Sequence, residues 1–514
     1  MRKRYFNTAG PCIPGVHYML PAEARLTKAR QLVEQGMFFL LHAPRQVGKT
    51  TLINNLARSL NAEGKYAAMV VSVEHLREVP SMAEGNLSLA RTLHNDSRNW
   101  FPDAEQIPAP LVDGPPVSAV HDVLAAWAAR SPKPVVLFID EIDCLQESSL
   151  LNLLGQLRRG YTSRPNPFLH SLALVGLRDV RDYKIRLRPG SESIGTASRF
   201  NICSDSFTLR NFTAEEVAEL YAQHTEDTGQ AFTKEAIAYA YDQTRGQPWL
   251  VNALARQITE NDVTDRTVAI TEAHLVSARE TLIQRNDTHI DSLADKLNEE
   301  RVRRVIAPIV AGKLLAPDVM NDDLQYVRDL GLVVTDPEIR IANPIYQEVI
   351  PRSLTYVMQR TIPAKTSFYV RPDGGLDMPS LLRAFQEFYA ENSESWLERY
   401  EYREAGPHLI LMAFLQRVVN GGGAIHREMA IGSGRVDLLV EWKDERHALE
   451  LKIRRGERTR AQGIEQLGRY LERLQLSKGY LVLFDQRPEV SWDDKLFDVE
   501  VQAPGGQTIH IFGA

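Results

Sequence analysis

The sequence predicts a multidomain α/β protein: a parallel-sheet unit, a helical region, and a second compact α/β unit towards the C-terminus. Strand-sized apolar runs at 37–42, 134–140 and 171–177 are spaced by helical patterns, the alternation that builds a parallel sheet. The pattern turns helical over 213–283. Strand-like runs then return at 424–431, 434–442 and 446–453, followed by an amphipathic helix and the strand GYLVLF. With 514 residues and about 150 residues per domain, three or four folding units fit.

The expected divisions are a parallel-sheet unit over 1–205, a helical lid over 206–285, a helix-helix-hairpin region over 286–360, a linker over 361–379 and an α/β unit over 380–514. In the first, MFFLLH leads into APRQVGKTT and then LINNLARSL, which reads as strand, loop and helix. The Pro-rich stretch 101–117 reads as an irregular excursion at the sheet edge. In the lid, TAEEVAELYAQHT opens on Thr213 with Glu216 three residues on, the capping-box spacing. Beyond it, ERVRRVIAPIVAG and DDLQYVRDLG precede a DPE turn between LGLVVT and IRIANP, the order of a winged helix. Turn formers crowd 361–379, and helices are expected over 380–398 and 403–419.

Hydrophobic residues at 44% and charged residues at 25% are those of an ordinary globular chain, which excludes a disordered tail or a collagen-like protein. Sixty Lys plus Arg against 66 Asp plus Glu give a net charge of −6, so a nucleic-acid surface must be a local basic patch. No apolar run approaches the ~18 residues of a membrane span, and the start lacks a secretory apolar stretch. A cytoplasmic protein without a membrane partner is expected. Cys12, Cys144 and Cys203 are too few and too scattered for a disulfide framework or a CxxC zinc site. They read as reduced structural thiols.

A phosphate-binding loop, GxxxxGK[ST], wraps a phosphate in backbone N–H groups, adds a Lys ammonium and presents a hydroxyl to Mg²⁺. Here Ala43-Pro44-Arg45-Gln46-Val47-Gly48-Lys49-Thr50 fits except that Ala43 replaces the first glycine. Arg45, Gln46, Val47, Gly48, Lys49, Thr50 and Thr51 are the candidate nucleotide-binding residues. The run Val135-Val136-Leu137-Phe138-Ile139-Asp140-Glu141 sets Asp140 at a strand end to hold Mg²⁺ with Thr50, and Glu141 to polarise water. Asp143 is the nearby alternative, read as a loop-capping or solvated residue. Arg178 follows the third strand and is either a γ-phosphate sensor or a surface ion-pair partner.

These motifs, with Gly246-Gln247-Pro248 at the entry of a lid helix, resemble the STAND clade of AAA-like ATPases over about 1–358. The resemblance implies a P-loop ATPase core, lid and winged helix acting as an ATP-gated switch, with Pro248 near the nucleotide and Arg178 at its γ-phosphate.

In GRVDLLVEWKDERHALELKI, Asp437 falls on one strand, and Glu450 and Lys452 share one face of the next. Charges inside apolar strands are costly unless paired or bound to metal. The constellation resembles the PD-(D/E)xK nuclease superfamily over about 400–514, without its literal Pro-Asp pair. That resemblance implies a restriction-endonuclease-like fold in which Asp437 and Glu450 bind Mg²⁺, or Mn²⁺ in its place. Lys452 would stabilise the attacking water or developing charge. Gln466 and Tyr470, four apart on one helix face, look like a QxxxY element, and Glu404 resembles a supplementary early-helix carboxylate. Arg454, Arg455, Arg458 and Arg460 flank the site as candidate DNA phosphate contacts. His408, His426 and His447 lack metal-ligand spacing and read as surface or packing residues.

The expected function is an ATP-binding and hydrolysing switch controlling a metal-dependent DNA endonuclease, with a homo-oligomer and a triggering protein or ligand as further partners. Family resemblance suggests a role in bacterial defence against foreign DNA or in mobile-element biology. The competing expectations are a nucleotide-controlled DNA-binding regulator that no longer cuts, and an ATP-driven DNA motor or loader.

Overall fold

The computed structural model describes residues 4–110, 114–178, 184–185, 194–195, 202–284, 296–297, 299–310, 322–336, 338–350, 369–397, 407–408, 410–412, 414–415, 423–431, 434–454, 456–487 and 489–514. The chain divides into two compact units, residues 1–284 with 328–331, and residues 285–327 with 332–514. Among the described residues no helix is long and apolar enough to cross a membrane.

The first unit is built on five parallel strands, β1 (Phe38–His42), β2 (Ala67–Ser72), β3 (Val135–Asp140), β4 (Ser171–Gly176) and β5 (Cys203–Thr208), ordered β2-β3-β4-β1-β5. The three central strands are the three apolar runs of the sequence. Every residue of β3 and β4 is buried because helices cover both faces of a parallel sheet. On one face Leu26 and Val33 of helix α1 (Ala22–Glu34) and Leu52, Ile53, Leu56 and Leu60 of helix α2 (Lys49–Ala62) join Phe39, Leu41 and Phe138. On the other, helices α3 (Met82–Ser97), α4 (Ala119–Arg130) and α5 (Glu147–Thr162) pack Leu93, Trp127 and Leu154 against Leu40, Leu137 and Leu172. Edge strand β5 carries Ser204, Asp205 and Ser206 and is only half-buried, so its sequence has no apolar run.

The helical region begins as its cap residues dictate. Glu216 N–H donates to Thr213 Oγ1 at 3.2 Å and Thr213 N–H to Glu216 Oε2 at 2.9 Å, so the expected capping box opens helix α6 (Ala214–Thr228). Helix α7 (Lys234–Thr244) ends in Arg245 and Gly246, both left-handed. Pro248 then starts helix α8 (Pro248–Gln257), with Gln247 Oε1 accepting from Leu250 N–H at 2.6 Å. A proline is tolerated at this first helical position because its missing N–H would have had no intrahelical partner.

Further on come helices α9 (Glu272–Gln284), α10 (Glu300–Val310) and α11 (Asp322–Asp329), then a short ribbon pairing Val333 with Ile341 and Val334 with Arg340. The C-terminal sheet holds β6 (Ala424–Ile431), β7 (Gly434–Trp442), β8 (Glu445–Ile453), β9 (Lys478–Phe484), β10 (Phe497–Gln502) and β11 (Thr508–Gly513), in the order β6-β7-β8-β9-β11-β10. Its centre is parallel and its flanks antiparallel. Helix α12 (Met378–Leu397) covers one face through Leu381, Leu382 and Phe385. Helix α13 (Glu457–Leu474) covers the other through Leu467 and Leu471. Within the stretch read as a linker, residues 369–377 fold onto the β7–β8 hairpin: Trp442 Nε1 donates to Gly374 O at 3.0 Å and Leu376 N–H to Glu445 Oε2 at 2.9 Å.

Gly246 has φ +69°, and a Cβ there would lie 2.0 Å from the Phe212 carbonyl oxygen. Gly246→Ala is expected to destabilise the first unit by at least about 1–3 kcal/mol, read as a lowered calorimetric midpoint.

Candidate functional site

The nucleotide site forms where β1 hands over to α2. Gln46 and Gly48 are both left-handed, with φ 59° and 92°, and such twists turn successive backbone N–H groups into one concavity. Ala43, in place of the first glycine, is buried and absent from the positive-φ positions, so its methyl group meets no backbone strain. Helix α2 has no side-chain cap, leaving its first amides and dipole facing the loop. Lys49 is 7% exposed, and its Nζ donates to the carbonyls of Ala43 and Pro44 at 2.8 and 2.9 Å. Burial lowers its pKa, opposed by Glu141, Asp140 and Asp143.

Thr50 Oγ1 donates to Asp140 Oδ2 at 2.5 Å, which joins the loop hydroxyl to the end of β3. This hydroxyl–carboxylate pair suits a hard divalent cation. Burial raises the Asp140 carboxyl, as it does that of Glu141 beside Asp143. Asp143 Oδ1 accepts from Leu177 N–H at 3.0 Å, so it fixes the turn that carries Arg178. The ligand atoms of Glu141, Asp143 and Cys144 lie within 4.8 Å of one another. Burial pushes the Cys144 thiol up to about 12, so at neutral pH it is not a thiolate.

Arg178 has a partner: its Nε donates to Asp329 Oδ2 at 2.9 Å, with side chains 9% and 6% exposed. Gly331 approaches the same loop, since a Cβ there would lie 2.8 Å from Pro44. Residues 328–331 therefore lie on the rim of the phosphate loop. Arg45 and Gln46 are exposed, Val47 is buried, and Thr51 Oγ1 accepts from Cys12 N–H at 2.9 Å. Pro248 is buried, and its neighbour Trp249 donates through Nε1 to Thr8 O at 2.9 Å.

Arg25 and the segment 5–18 escape sequence reasoning. The Arg25 guanidinium donates to Val47 O at 3.4 Å and to Arg210 O and lies over the Phe212 ring, 4.8 Å from its centroid. Burial lowers its pKa to about 10. A lone arginine 18 to 23 residues before the loop carries no local motif that could have found it.

The second site lies on the α13 face of the C-terminal sheet. The register puts Leu438 opposite Leu449, and Asp437 Oδ2 accepts from Leu451 N–H at 2.7 Å. Glu450 is wholly buried, and its Oε1 takes the Lys452 ammonium at 2.6 Å. Its Oε2 is buried with no hydrogen-bond partner among the described residues, so the carboxylate pair fits a cation. Burial, then the Asp437 charge, push the Glu450 carboxyl up to about 8. Burial also works against the Lys452 cation, but Glu450, Asp437 and Tyr470 hold its pKa above the ordinary value.

Gln466 Nε2 donates to Tyr470 OH at 3.1 Å, and Gly463 lets α13 approach Leu481 and Lys452. Asp437, Glu450, Lys452, Gln466 and Tyr470 thus gather in one place. Glu404 and Arg455 lie outside the described residues. Arg454 pairs with Asp485 at 3.6 Å, while Arg458 and Arg460 are exposed, so the basic run is not one uniform patch. His426 and His447 pair with Glu441 and Glu445.

A phosphate loop on a five-stranded parallel sheet, followed by a carboxylate–lysine site on a mixed sheet, defines an ATPase joined to a nuclease-like domain. Residues 23–169 match the family model of the AAA ATPase domain, and residues 404–482 match that of the endonuclease NucS C-terminal domain. The chain therefore carries an AAA ATPase domain and, towards its C-terminus, a NucS-like nuclease domain. No curated protein matches it significantly. Among solved structures, it is similar to the Walker-type ATPase PABY2304 of Pyrococcus abyssi, with 15% identity, TM-score 0.47, and 67% of this chain and 99% of that chain covered. It is also similar to the RuvB Holliday junction branch migration motor of Thermotoga maritima, with 17% identity, TM-score 0.35 and coverages of 64% and 93%.

Because the folded Glu450 value, about 8, lies above the ordinary 4.5, the protonated form favours the folded state, and that stability is lost as pH rises from about 4.5 through about 8. In chelator, Glu450→Gln is expected to raise the denaturation midpoint of the C-terminal unit at pH 8 more than at pH 5. In the unsubstituted protein Mg²⁺ should restore stability at the higher pH.

Proposed function

We propose that the protein is a STAND-like ATP switch controlling a Mg²⁺-dependent DNA endonuclease. The observation that carries the nuclease reading is the unpartnered Glu450 Oε2, buried beside Asp437 and Lys452. Ionising this buried oxygen without a partner costs several kcal/mol, which is why its carboxyl holds a proton to about 8, and a divalent ion held by Asp437 and Glu450 would remove that cost. Such an ion supplies charge stabilisation at the scissile phosphate and lowers the pKa of water. Lys452 donates to the developing negative charge, and Gln466 with Tyr470 orients it from the helix above. Arg458 and Arg460 supply sequence-independent phosphate contacts.

At the other site, Lys49 neutralises nucleotide phosphate charge, Thr50 and Asp140 hold Mg²⁺, and Glu141 takes a proton from the attacking water. ATP binding asks Lys49 to exchange the Ala43 and Pro44 carbonyls for phosphate oxygens. Arg178 serves as the γ-phosphate contact only by leaving Asp329, so the ion pair and the nucleotide compete. That competition is the switch, and the winged-helix region carrying Asp329 is the element that responds. A nuclease without sequence preference, held by such a gate, suits defence against foreign DNA.

Lys49→Ala is expected to abolish ATP binding by titration calorimetry. Asp329→Asn should tighten ATP by about 5-fold or more, the lower end of ordinary coupling energies, because the carboxylate rival for Arg178 is gone. Asp437→Ala should lower plasmid nicking by at least about 100-fold, beyond the roughly 10–100-fold cost of losing an outer-shell partner, with ATP hydrolysis retained. Retained nicking in that variant removes the assignment of cleavage to this site, and absence of metal-dependent nicking in the unsubstituted protein leaves a DNA-binding regulator.

A further inference from the structure

The cations around the phosphate loop differ in whether they are already engaged. Lys49 holds the carbonyls of Ala43 and Pro44, Arg25 those of Val47 and Arg210, and Arg178 the Asp329 carboxylate. Arg45 is exposed, and among the described residues its guanidinium has neither an ion-pair nor a hydrogen-bond partner. Its backbone starts from the end of the loop where chemistry occurs. The lysine of such a loop reaches the β- and γ-phosphates, and Pro44 O lies 2.9 Å from Lys49 Nζ. The Arg45 nitrogen is bonded to that same carbonyl carbon, so the Arg45 Cα is no more than about 7 Å from the ammonium.

The general base lies within reach of the same charge. Thr50 Oγ1 and Asp140 Oδ2, 2.5 Å apart, fasten the loop to the end of β3, and Glu141 is the next residue. Burial, then Asp143 and Asp140, raise the Glu141 carboxyl, while Lys49 and Arg45 pull it down. The Lys49 ammonium, lowered first by burial, is lowered further by Arg45. Gln46, left-handed at φ 59°, bends the chain at this point, and Arg45 and Gln46 are exposed where Val47 is buried. A guanidinium so placed swings without breaking a contact.

We propose that Arg45 is a catalytic residue of ATP hydrolysis: its guanidinium, supplied in cis by the phosphate loop, contacts the γ-phosphoryl group as charge develops there. The proposal rests on the reading of residues 43–50 and Glu141 as the ATPase site. In the step, the water oxygen bonds to the γ-phosphorus while the bond from that phosphorus to the β–γ bridging oxygen breaks. Glu141 takes a water proton, and ADP leaves with the electron pair on the bridging oxygen. Charge is then spread over the γ-phosphoryl oxygens between attacking and leaving oxygens that lie in line. A planar guanidinium bonds two such oxygens at once, whereas the Lys49 ammonium is a point charge. The two arginines divide the work. Arg178 gives up a buried ion pair to reach the nucleotide, a strongly destabilising loss unless another anion replaces it, so it reports bound ATP. Arg45 has no partner to leave and serves the transition state. Each chain thereby carries its own arginine, and turnover requires none from a second copy.

The test uses the full chain with Mg²⁺. Arg45→Ala is expected to lower kcat for ATP by at least about 100-fold, the lower end for one lost donor to a transition state, with ATP affinity kept within about threefold. ADP with aluminium fluoride, which mimics the transition state, should lose affinity for this variant as kcat does, while ADP with beryllium fluoride, which mimics bound ATP, should bind as before. Arg45→Lys should recover only part of the rate, because an ammonium lacks the planar fork. Guanidinium chloride at low concentration should raise turnover by Arg45→Ala. A mixture of Arg45→Ala with Glu141→Gln should be no more active than the two apart. Turnover by Arg45→Ala close to that of the unsubstituted chain, equal weakening of both fluoride complexes, or activity regained on mixing overturns the proposal. Unchanged ATP binding in Lys49→Ala, or unchanged turnover in Glu141→Gln, removes the ATPase-site reading and the proposal with it. If those two variants fail as expected and Arg45→Ala does not, the assignment of Arg45 alone falls.

Discussion

A charge withdrawn from water has to be answered by an opposite charge or by hydrogen bonds, and both sites of this protein are organised by that requirement. Lys49 is 7% exposed, Asp140 1% and Glu450 0%. Effective penalties of several kcal/mol per buried ion make such residues untenable unless something answers them. At the phosphate loop the answer is local: two carbonyls hold the ammonium, and a threonine hydroxyl holds the carboxylate. At the C-terminal site the lysine answers one oxygen of Glu450 and a backbone amide answers Asp437. Among the described residues nothing answers the second oxygen of Glu450, a deficit that a cation would remove.

The same requirement explains why the first site is poised rather than complete. Arg178 and Asp329 are both almost wholly buried and satisfy one another. Breaking a buried pair by removing one partner is strongly destabilising, so Arg178 leaves Asp329 only for another anion. Asp143 holds the turn before Arg178 through the Leu177 amide. On the proposed function a nucleotide phosphate is the second partner, and two discrete partners for one arginine would make a bistable contact. A ligand shifts such an equilibrium only through differential affinity for its two states.

Strand runs, cap residues and motif spacing were legible because each depends on neighbours in sequence. VVLFID and SLALVG are buried on both faces and read as continuous apolar runs, and Thr213 and Glu216 meet across three residues. Glu450 and Lys452 share a face through the period of two of a strand. Edge strand β5 was not legible, since half-burial tolerates Ser204, Asp205 and Ser206. Helix α3 and strand β2 likewise went unread, although Met69, Val71, Leu89 and Leu93 anchor one side of the first core. The turn formers at 369–377 suggested a linker, but Trp442 and Glu445 bind that backbone from a hairpin about 70 residues away.

The sequence by itself determined the kinds of chemistry present: a lysine and hydroxyl on a phosphate loop, carboxylates at a strand end, and a carboxylate–lysine pair on a second sheet. These follow from local geometry, in which residue spacing sets which side chains share a face or a turn. Tertiary structure alone decided which charges meet across long stretches of chain. It brought Asp329 to Arg178 over 151 residues and Arg25 to the carbonyl of Val47. Such partnerships have no sequence period, because burial and Coulomb attraction act on distance in space, and only the packed fold sets that distance.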